Sequence, residues 1–400
     1  MTFECRPEGF NSQQSIVQMR FLLLPISWIY GLVIAVRNHL FDTNVLKRRS
    51  FNIPVISIGN ITMCGTGKTP HTEYVLRLLK NSCKTAVLSR GYKRLTKGYV
   101  LATSKTEMKD IGDEPFQMHR KFPDATVAVC EKRCEGVERL IEDENIEAVI
   151  LDDAYQHRYI EPGLNILLVD FHRPIYRDNL LPVGMLREPA SAKSRADIII
   201  ITKCPHDISP LDIRLCTNDI RTRAFQKLFF STMDYMPLEP LFKKELPQMT
   251  LFDLKNVNIL LVTAIGSPEH IVKDLEPYGA KFKELNYRDH HQFTEKEVYE
   301  INETFSFMPS PKIMLTTEKD ATRLQPLNGF SLDLQKSAYT LPIKVRIMLD
   351  QEDEFNKIIL DYVFKDATNI SDAPQPDQKK NEEKQQENSA TTTTTISFQD

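Results

Sequence analysis

The stretch SIGNITMCGTGKTPHTEYVL, residues 57–76, decides the fold. It contains Gly67-Lys68-Thr69, the second half of a phosphate-binding loop of the form G-x-x-x-x-G-K-[ST]. The first glycine of that form would fall at 62, where the chain has Thr62. The other parts are in order: a β-rich run before, Gly65 and Gly67 in the loop, Lys68 and Thr69, then helical text from Pro70. Glycines let backbone N–H groups curl around phosphate oxygens. A helix N-terminus adds its positive dipole end. In such a loop the lysine reaches the β- and γ-phosphates and the threonine hydroxyl binds magnesium. Thr62, Met63, Cys64, Gly65, Thr66, Gly67, Lys68 and Thr69 are therefore read as a nucleotide-binding loop.

Working outward, short apolar runs recur at 54–59, 85–90, 125–129, 148–153, 165–170 and 197–203. They are continuously apolar rather than alternating, as strands covered on both faces must be. Most gaps between them have room for a helix. The pattern predicts a doubly wound α/β sheet over 51–230, with ligands at the carboxyl ends of its strands. The run AVILDDAYQHR (148–158) ends its strand in Asp152-Asp153, carboxylates suited to a magnesium shell. After a proline-rich connection, a smaller α/β lobe is expected over 231–365. Residues 366–400 are polar and repetitive, too poor in apolar groups to offset their ordering entropy, and read as a disordered tail.

The N-terminal segment, 1–50, carries sixteen uncharged residues at 21–36, FLLLPISWIYGLVIAV. A helix of that length covers about 24 Å, short of the ~30 Å hydrocarbon core. Pro25 would disturb its first turn. Trp28 and Tyr30 suit a membrane interface, and Lys47, Arg48 and Arg49 suit anionic lipid. A helix lying in or partly inserted into the membrane's cytoplasmic face is expected; the alternative is a buried core helix. The chain of 400 residues has a net charge of −3, which offers no basic field for nucleic acid. Seven cysteines, an odd number in a large chain, read as free thiols rather than a disulfide framework.

Further polar clusters stand at SRGYKR (89–94), GDEP (112–115), LPVGMLREP (181–189), YRDHHQF (287–293) and TTEKDATRL (316–324). Singly, each is a solvated loop or a helix cap. No Cys or acid lies at ligand spacing from His290 and His291, so metal is not expected there. An imidazole beside a carboxylate would make a proton acceptor near pH 7.

Taken in order, GNITMCGTGKTP, SRGYKR, GDEP, ILDDAYQHR, LPVGMLREP, the Asp-His loop and TTEKDATRL resemble the tetraacyldisaccharide 4'-kinases, the lipid A 4'-kinases of Gram-negative bacteria. The likeness covers about residues 20–365. It implies a kinase at the cytoplasmic face of the bacterial inner membrane. Such an enzyme moves the γ-phosphate of ATP, with Mg2+, to the 4'-hydroxyl of a tetraacylated glucosamine disaccharide 1-phosphate, giving lipid IVA. It implies no nucleic acid and no obligatory protein partner. The family's loop lysine and threonine fall on Lys68 and Thr69, and its acidic pair on Asp152 and Asp153. Its catalytic aspartate and histidine fall on Asp113 and His290. Glu188 would join the metal residues, and Tyr92, Arg133, Gln156 and His157 would contact nucleotide or substrate. The displaced first glycine belongs to the family's own pattern. Cys64 departs from it, standing where the family has a further glycine. A phosphoryl transfer is mainly positioning and charge neutralisation, so it needs a cradle, a metal and a base near the hydroxyl. With His290 in the second lobe, the site would lie between lobes. The competing readings are a nucleotide hydrolase or switch without lipid acceptor, and a tethered scaffold.

Overall fold

The computed structural model describes residues 12–371 apart from Cys64, Lys244, Ser267 and His290, without the side chains of 12–21 and 366–371. The expectations for Cys64, for His290 and for 372–400 lie outside the described residues.

Helix α1 spans Ser12–Asp42 and continues through Pro25. The placing of Pro25 in a first turn is corrected: the helix begins at Ser12, so the proline stands in its interior. One stripe of α1 docks on the large sheet's loops. Ser27 Oγ donates to the Leu180 carbonyl at 3.0 Å and Tyr30 to that of Arg187 at 2.8 Å. Lower down, Arg37 donates to the Gln156 carbonyl at 2.8 Å, and Phe41 is fully buried. The opposite stripe, Leu22, Ile26, Ile29, Leu32, Val33 and Val36, is exposed, as is Trp28 at 70%. A core helix would have buried that stripe. By length and composition the segment Leu22–Asp42 suffices to cross a membrane.

After α1 the chain forms β1 (Val55–Gly59), α2 (Lys68–Leu79), β2 (Thr85–Ser89), β3 (Val100–Leu101), α3 (Met108–Ile111), α4 (Asp113–Lys121), β4 (Thr126–Val129) and α5 (Arg133–Glu144). It continues through β5 (Ala148–Asp152), β6 (Leu164–Asp170), β7 (Ile198–Thr202), α6 (Pro210–Ile220) and β8 (Lys227–Tyr235). The small lobe follows as β9 (Glu239–Pro240), β10 (Asn258–Thr263), α7 (Glu269–Leu275), β11 (Lys281–Asn286), α8 (Glu295–Ser306), β12 (Lys312–Thr317), α9 (Glu318–Leu324), α10 (Leu332–Gln335) and β13 (Ala338–Leu341). Then come β14 (Ile343–Ile347) and α11 (Glu352–Ser371).

The large sheet has the order β14-β8-β7-β6-β1-β5-β2-β4-β3, parallel but for the edge strands β14 and β3. β1, β2, β5 and β7 are buried at every position, as the continuous apolar runs demanded. Ile56, Ile58, Ile150 and Ile166 face a core shared with α2 and α11, while Val55, Leu88 and Val149 face a second core on the other side. β1 lies between β5 and β6, so its carboxyl end opens into the crevice where a doubly wound sheet binds ligands.

The small lobe is a five-stranded sheet, β11-β10-β12-β13-β9, with its own core around Leu260, Val262, Ile301, Phe305 and Met314. The boundary read at 231–365 needs correction at both ends. β8 runs on to Tyr235, and β14 returns to pair with it, Val345 opposite Met233. Phe355, Ile359 and Val363 of α11 then join the large core. The small lobe is thus inserted between two strands of the large sheet. α11 continues to Ser371, past the end read at 365.

Candidate active site

The phosphate loop is held from below. Asn60 Nδ2 donates to Thr66 Oγ1 at 2.8 Å, and Thr202 Oγ1 at the end of β7 donates to the Thr66 carbonyl at 2.9 Å. His71 is buried and its pKa falls to about 4, chiefly through burial, so the ring is neutral. A carbonyl only accepts. His71 Nδ1 therefore donates to the Gly67 carbonyl at 2.7 Å, leaving Nε2 to accept from Ser231 at 2.9 Å. Tying these carbonyls to the protein is what lets the amides of such a loop face a ligand. α2 starts at Lys68 without a side-chain cap, leaving its first N–H groups for an anion.

Gly67 has φ +82, and a Cβ there would lie 2.7 Å from Met233 Cε. We expect Gly67→Ala to weaken ATP affinity about five- to thirtyfold by forcing the loop out of the left-handed region, a cost of about 1–2 kcal/mol. Isothermal titration with ATP checks this, and wild-type affinity would show that the loop adapts freely.

Not all of 62–69 is cradle. Thr62 is buried and bridges to Leu186, and the Met63 N–H donates to the Met185 carbonyl at 2.8 Å. These two residues anchor the loop to the LREP segment, and the Met63 amide is already used there. The exposed Gly65 and the segment Thr66–Thr69 are left to meet phosphate.

The acids expected at the end of β5 are there. Asp153 adopts φ +47, which turns its carboxylate toward the loop, 3.7 Å from Lys68 Nζ. Arg187 Nη1 lies 3.4 Å from both Asp153 oxygens and from Gln156 Oε1. Asp152 is buried, accepting from Thr72 Oγ1 at 3.0 Å and Ser89 Oγ at 3.4 Å. Its pKa is pushed up to about 7 by burial first, then by the negative charges of Glu114 and Asp153. A buried carboxyl crowded by two further acids is a site that a cation relieves. Thr69, Asp152 and Asp153 offer only oxygen donors, the chemistry that fits magnesium, which binds through one or two carboxylates plus phosphate oxygens. Among the described residues no three His, Cys, Asp or Glu side chains converge on one ion.

Glu188 is different. It is fully buried, and Arg195 clamps it in two-pronged fashion at 2.9 and 3.0 Å. Gln156 and Asn38 donate to the same oxygens, each at 3.1 Å. In this arrangement its oxygens lock α1, Gln156 and the LREP segment together. Gln156 in turn donates to the Asn60 carbonyl at 2.7 Å and serves the loop's geometry.

Arg133, fully buried at the start of α5, donates to the carbonyls of Cys130 (2.6 Å) and Asp152 (3.3 Å). It supports the acidic pair from beneath. His157 lies among Arg133, Arg90 and Arg37, and burial with these cations takes its pKa to about 4. Tyr92 is exposed, and its carbonyl packs on Gly112, where φ is +90 and a Cβ would meet that oxygen at 2.7 Å. Gly112 thereby joins the SRGYKR loop to the start of α4. Asp113 opens α4 with a partly exposed carboxylate, paired with Arg323 of the small lobe. His291 pairs with Glu297 at 3.3 Å and stacks on Tyr287. Of the Lys47–Arg49 cluster, Arg48 and Arg49 are engaged by Glu161 and Glu138.

Sequence reasoning missed Glu114, Arg187 and Arg323 as members of the site. All three sit inside motifs already noted: Glu114 follows Asp113, Arg187 precedes Glu188, and Arg323 lies in TTEKDATRL, where no single residue stood out.

A family profile described as tetraacyldisaccharide-1-P 4'-kinase matches residues 19–363. The chain is 48% identical over 360 residues to the tetraacyldisaccharide 4'-kinase of Phocaeicola vulgatus, covering 89% of this chain and 98% of that protein. It is 46% identical over 368 residues to the enzyme of that name from Bacteroides thetaiotaomicron, covering 90% and 97%. Among solved structures, LpxK from Aquifex aeolicus in complex with ATP superposes with a TM-score of 0.68 at 29% identity, covering 86% of this chain and 99% of that one.

Proposed function

The chain belongs to the tetraacyldisaccharide-1-P 4'-kinase family, and on that premise we propose how its residues carry out the transfer. It is an ATP-dependent kinase of lipid A biosynthesis that phosphorylates the 4'-hydroxyl of a tetraacyl glucosamine disaccharide 1-phosphate to give lipid IVA. The observation that carries the residue assignment is the meeting, at one sheet edge, of the 65–69 cradle, Asp152 with Asp153, and the first turn of α4.

The amides of the loop and the start of α2 bind the phosphates, and Lys68 neutralises charge on the β- and γ-oxygens. Arg187 and Lys68 share Asp153, which fixes both cations toward the transferring group. Thr69, Asp152 and Asp153 would hold magnesium, which when bound supplies further charge neutralisation. Asp113, with His290, takes the proton of the attacking hydroxyl. Tyr92 and His157, with Arg90 and Arg37 nearby, contact the lipid headgroup.

The exposed ridge of α1 seats the enzyme on the cytoplasmic face of the inner membrane. Extracting the acceptor would cost about 0.8 kcal/mol for each CH2 pulled from the bilayer, so a seated enzyme that reaches only the headgroup avoids a large barrier. Deleting α1 is a poor test, since Arg37 and Asn38 also hold Gln156 and Glu188. Exchanging Ile29 and Val33 for glutamate touches only the ridge. We expect that variant to leave the membrane fraction while its activity on detergent-dispersed substrate stays within about twofold. Retention in the membrane would contradict the seat.

The kinase reading is tested by nucleotide turnover with and without the lipid disaccharide. Turnover that requires the lipid is expected, and equal turnover without it would favour the hydrolase.

A further inference from the structure

We propose that α9, from the TTEKDATRL motif, is the element that positions the proton acceptor Asp113 against the small lobe: Arg323 fixes Asp113, and Lys319 ties Asp289 to the same helix. This rests on the reading of Asp113 given above.

Four side chains of this short helix reach α4, the Asp289 loop and the end of β10. Glu318 pairs with Lys121 of α4 at 2.6 Å, and Lys121 also holds Glu73 of α2 at 2.7 Å. Lys319 Nζ lies 3.5 Å from Asp289, the residue before His290 in the chain. Asp320 accepts from the Ala264 N–H beyond β10 at 3.0 Å and from Thr317 Oγ1 at 2.8 Å. Arg323 donates to Asp320 at 3.0 Å and to Asp113.

The side chains of Arg323 and Asp320 are wholly buried. A buried ion cluster of this kind gives little net stability, because the desolvation cost offsets the Coulomb gain. What it does give is direction. A guanidinium presents two fixed donor directions, and here one is anchored in the small lobe's core while the other meets Asp113 in the large lobe. α9 thus fixes the small lobe's Asp289 loop and the large lobe's α4 relative to each other. A base must lie within hydrogen-bond reach of its proton, and displacement by about 1 Å can cost about 10²-fold in rate.

The test is steady-state kinetics of the full chain with ATP and lipid disaccharide 1-phosphate. Arg323→Lys keeps the charge, but a single ammonium cannot hold both carboxylates in the fork's geometry. We expect it to lower kcat about 10²-fold with KM for ATP within about twofold. In an Asp113→Asn background it should cause little further loss, since both changes remove one function. Lys319→Met, at a partly exposed position, should lower kcat about tenfold, again sparing KM for ATP. Wild-type kcat in Arg323→Lys, or losses that multiply with Asp113→Asn, would overturn the role of Arg323. Wild-type kcat in Lys319→Met would overturn that of Lys319. A wild-type rate in Asp113→Asn alone would instead overturn the reading of Asp113.

Discussion

Replacing Lys68 by alanine is expected to lower kcat by about 10³-fold while the thermal transition moves by no more than a few degrees. Lys68 sits in the first turn of α2, is partly accessible, and has Asp153 as its ion partner at 3.7 Å. It plugs no core, so its loss leaves the fold intact. Its loss from the site is more serious. Asp152 already feels the negative charges of Glu114 and Asp153, and the Lys68 charge is one of the influences that lower its pKa. Without it the local field turns more negative where the triphosphate must bind. Both ATP affinity and transition-state charge stabilisation then fall. Measuring kcat and KM for ATP beside the melting curve checks this. Turnover within tenfold of wild type in a folded Lys68→Ala protein would count against the site as drawn.

Asp113→Asn is expected to lower kcat by about 10²–10⁴-fold, the range a positioned general base supplies. The amide keeps the shape of the carboxylate and can still accept one bond from Arg323. It cannot take a proton at the pH of the reaction. ATP binding should be unchanged, because Asp113 lies on α4 and not in the phosphate loop. The decisive pattern is therefore a collapse of kcat at constant ATP affinity. A parallel loss of ATP affinity would mean that Asp113 serves the nucleotide instead.

Much of this was legible in the sequence because the relevant signals are local. A run such as 148–153 has no polar face, so it declares a covered strand, and its two terminal acids must then sit at the sheet's edge. The glycine at 67 announces the left-handed turn that only it tolerates well. What stayed hidden depends on distant partners. Glu188 stands in its motif as a lone acid, and only the fold brings Arg195 and Gln156 onto it. β14, IKVRI, alternates like an edge strand of either sheet, and only β8 across from it decides which. The start of α1 stayed hidden because the text before the apolar run, SQQSIVQMR, is mixed and short of periodic signal. Arg323 reads as an exposed helix charge, yet it is buried against Asp320 and Asp113, which come from 3 and 210 positions away.

The most direct test of the whole account is to incubate the purified protein with γ-labelled ATP, magnesium and a tetraacyl disaccharide 1-phosphate, then identify the lipid product by mass and label position. A bis-phosphorylated lipid labelled at the 4' position is the predicted result. Labelled inorganic phosphate released at the same rate with or without the lipid, and no labelled lipid, would contradict it.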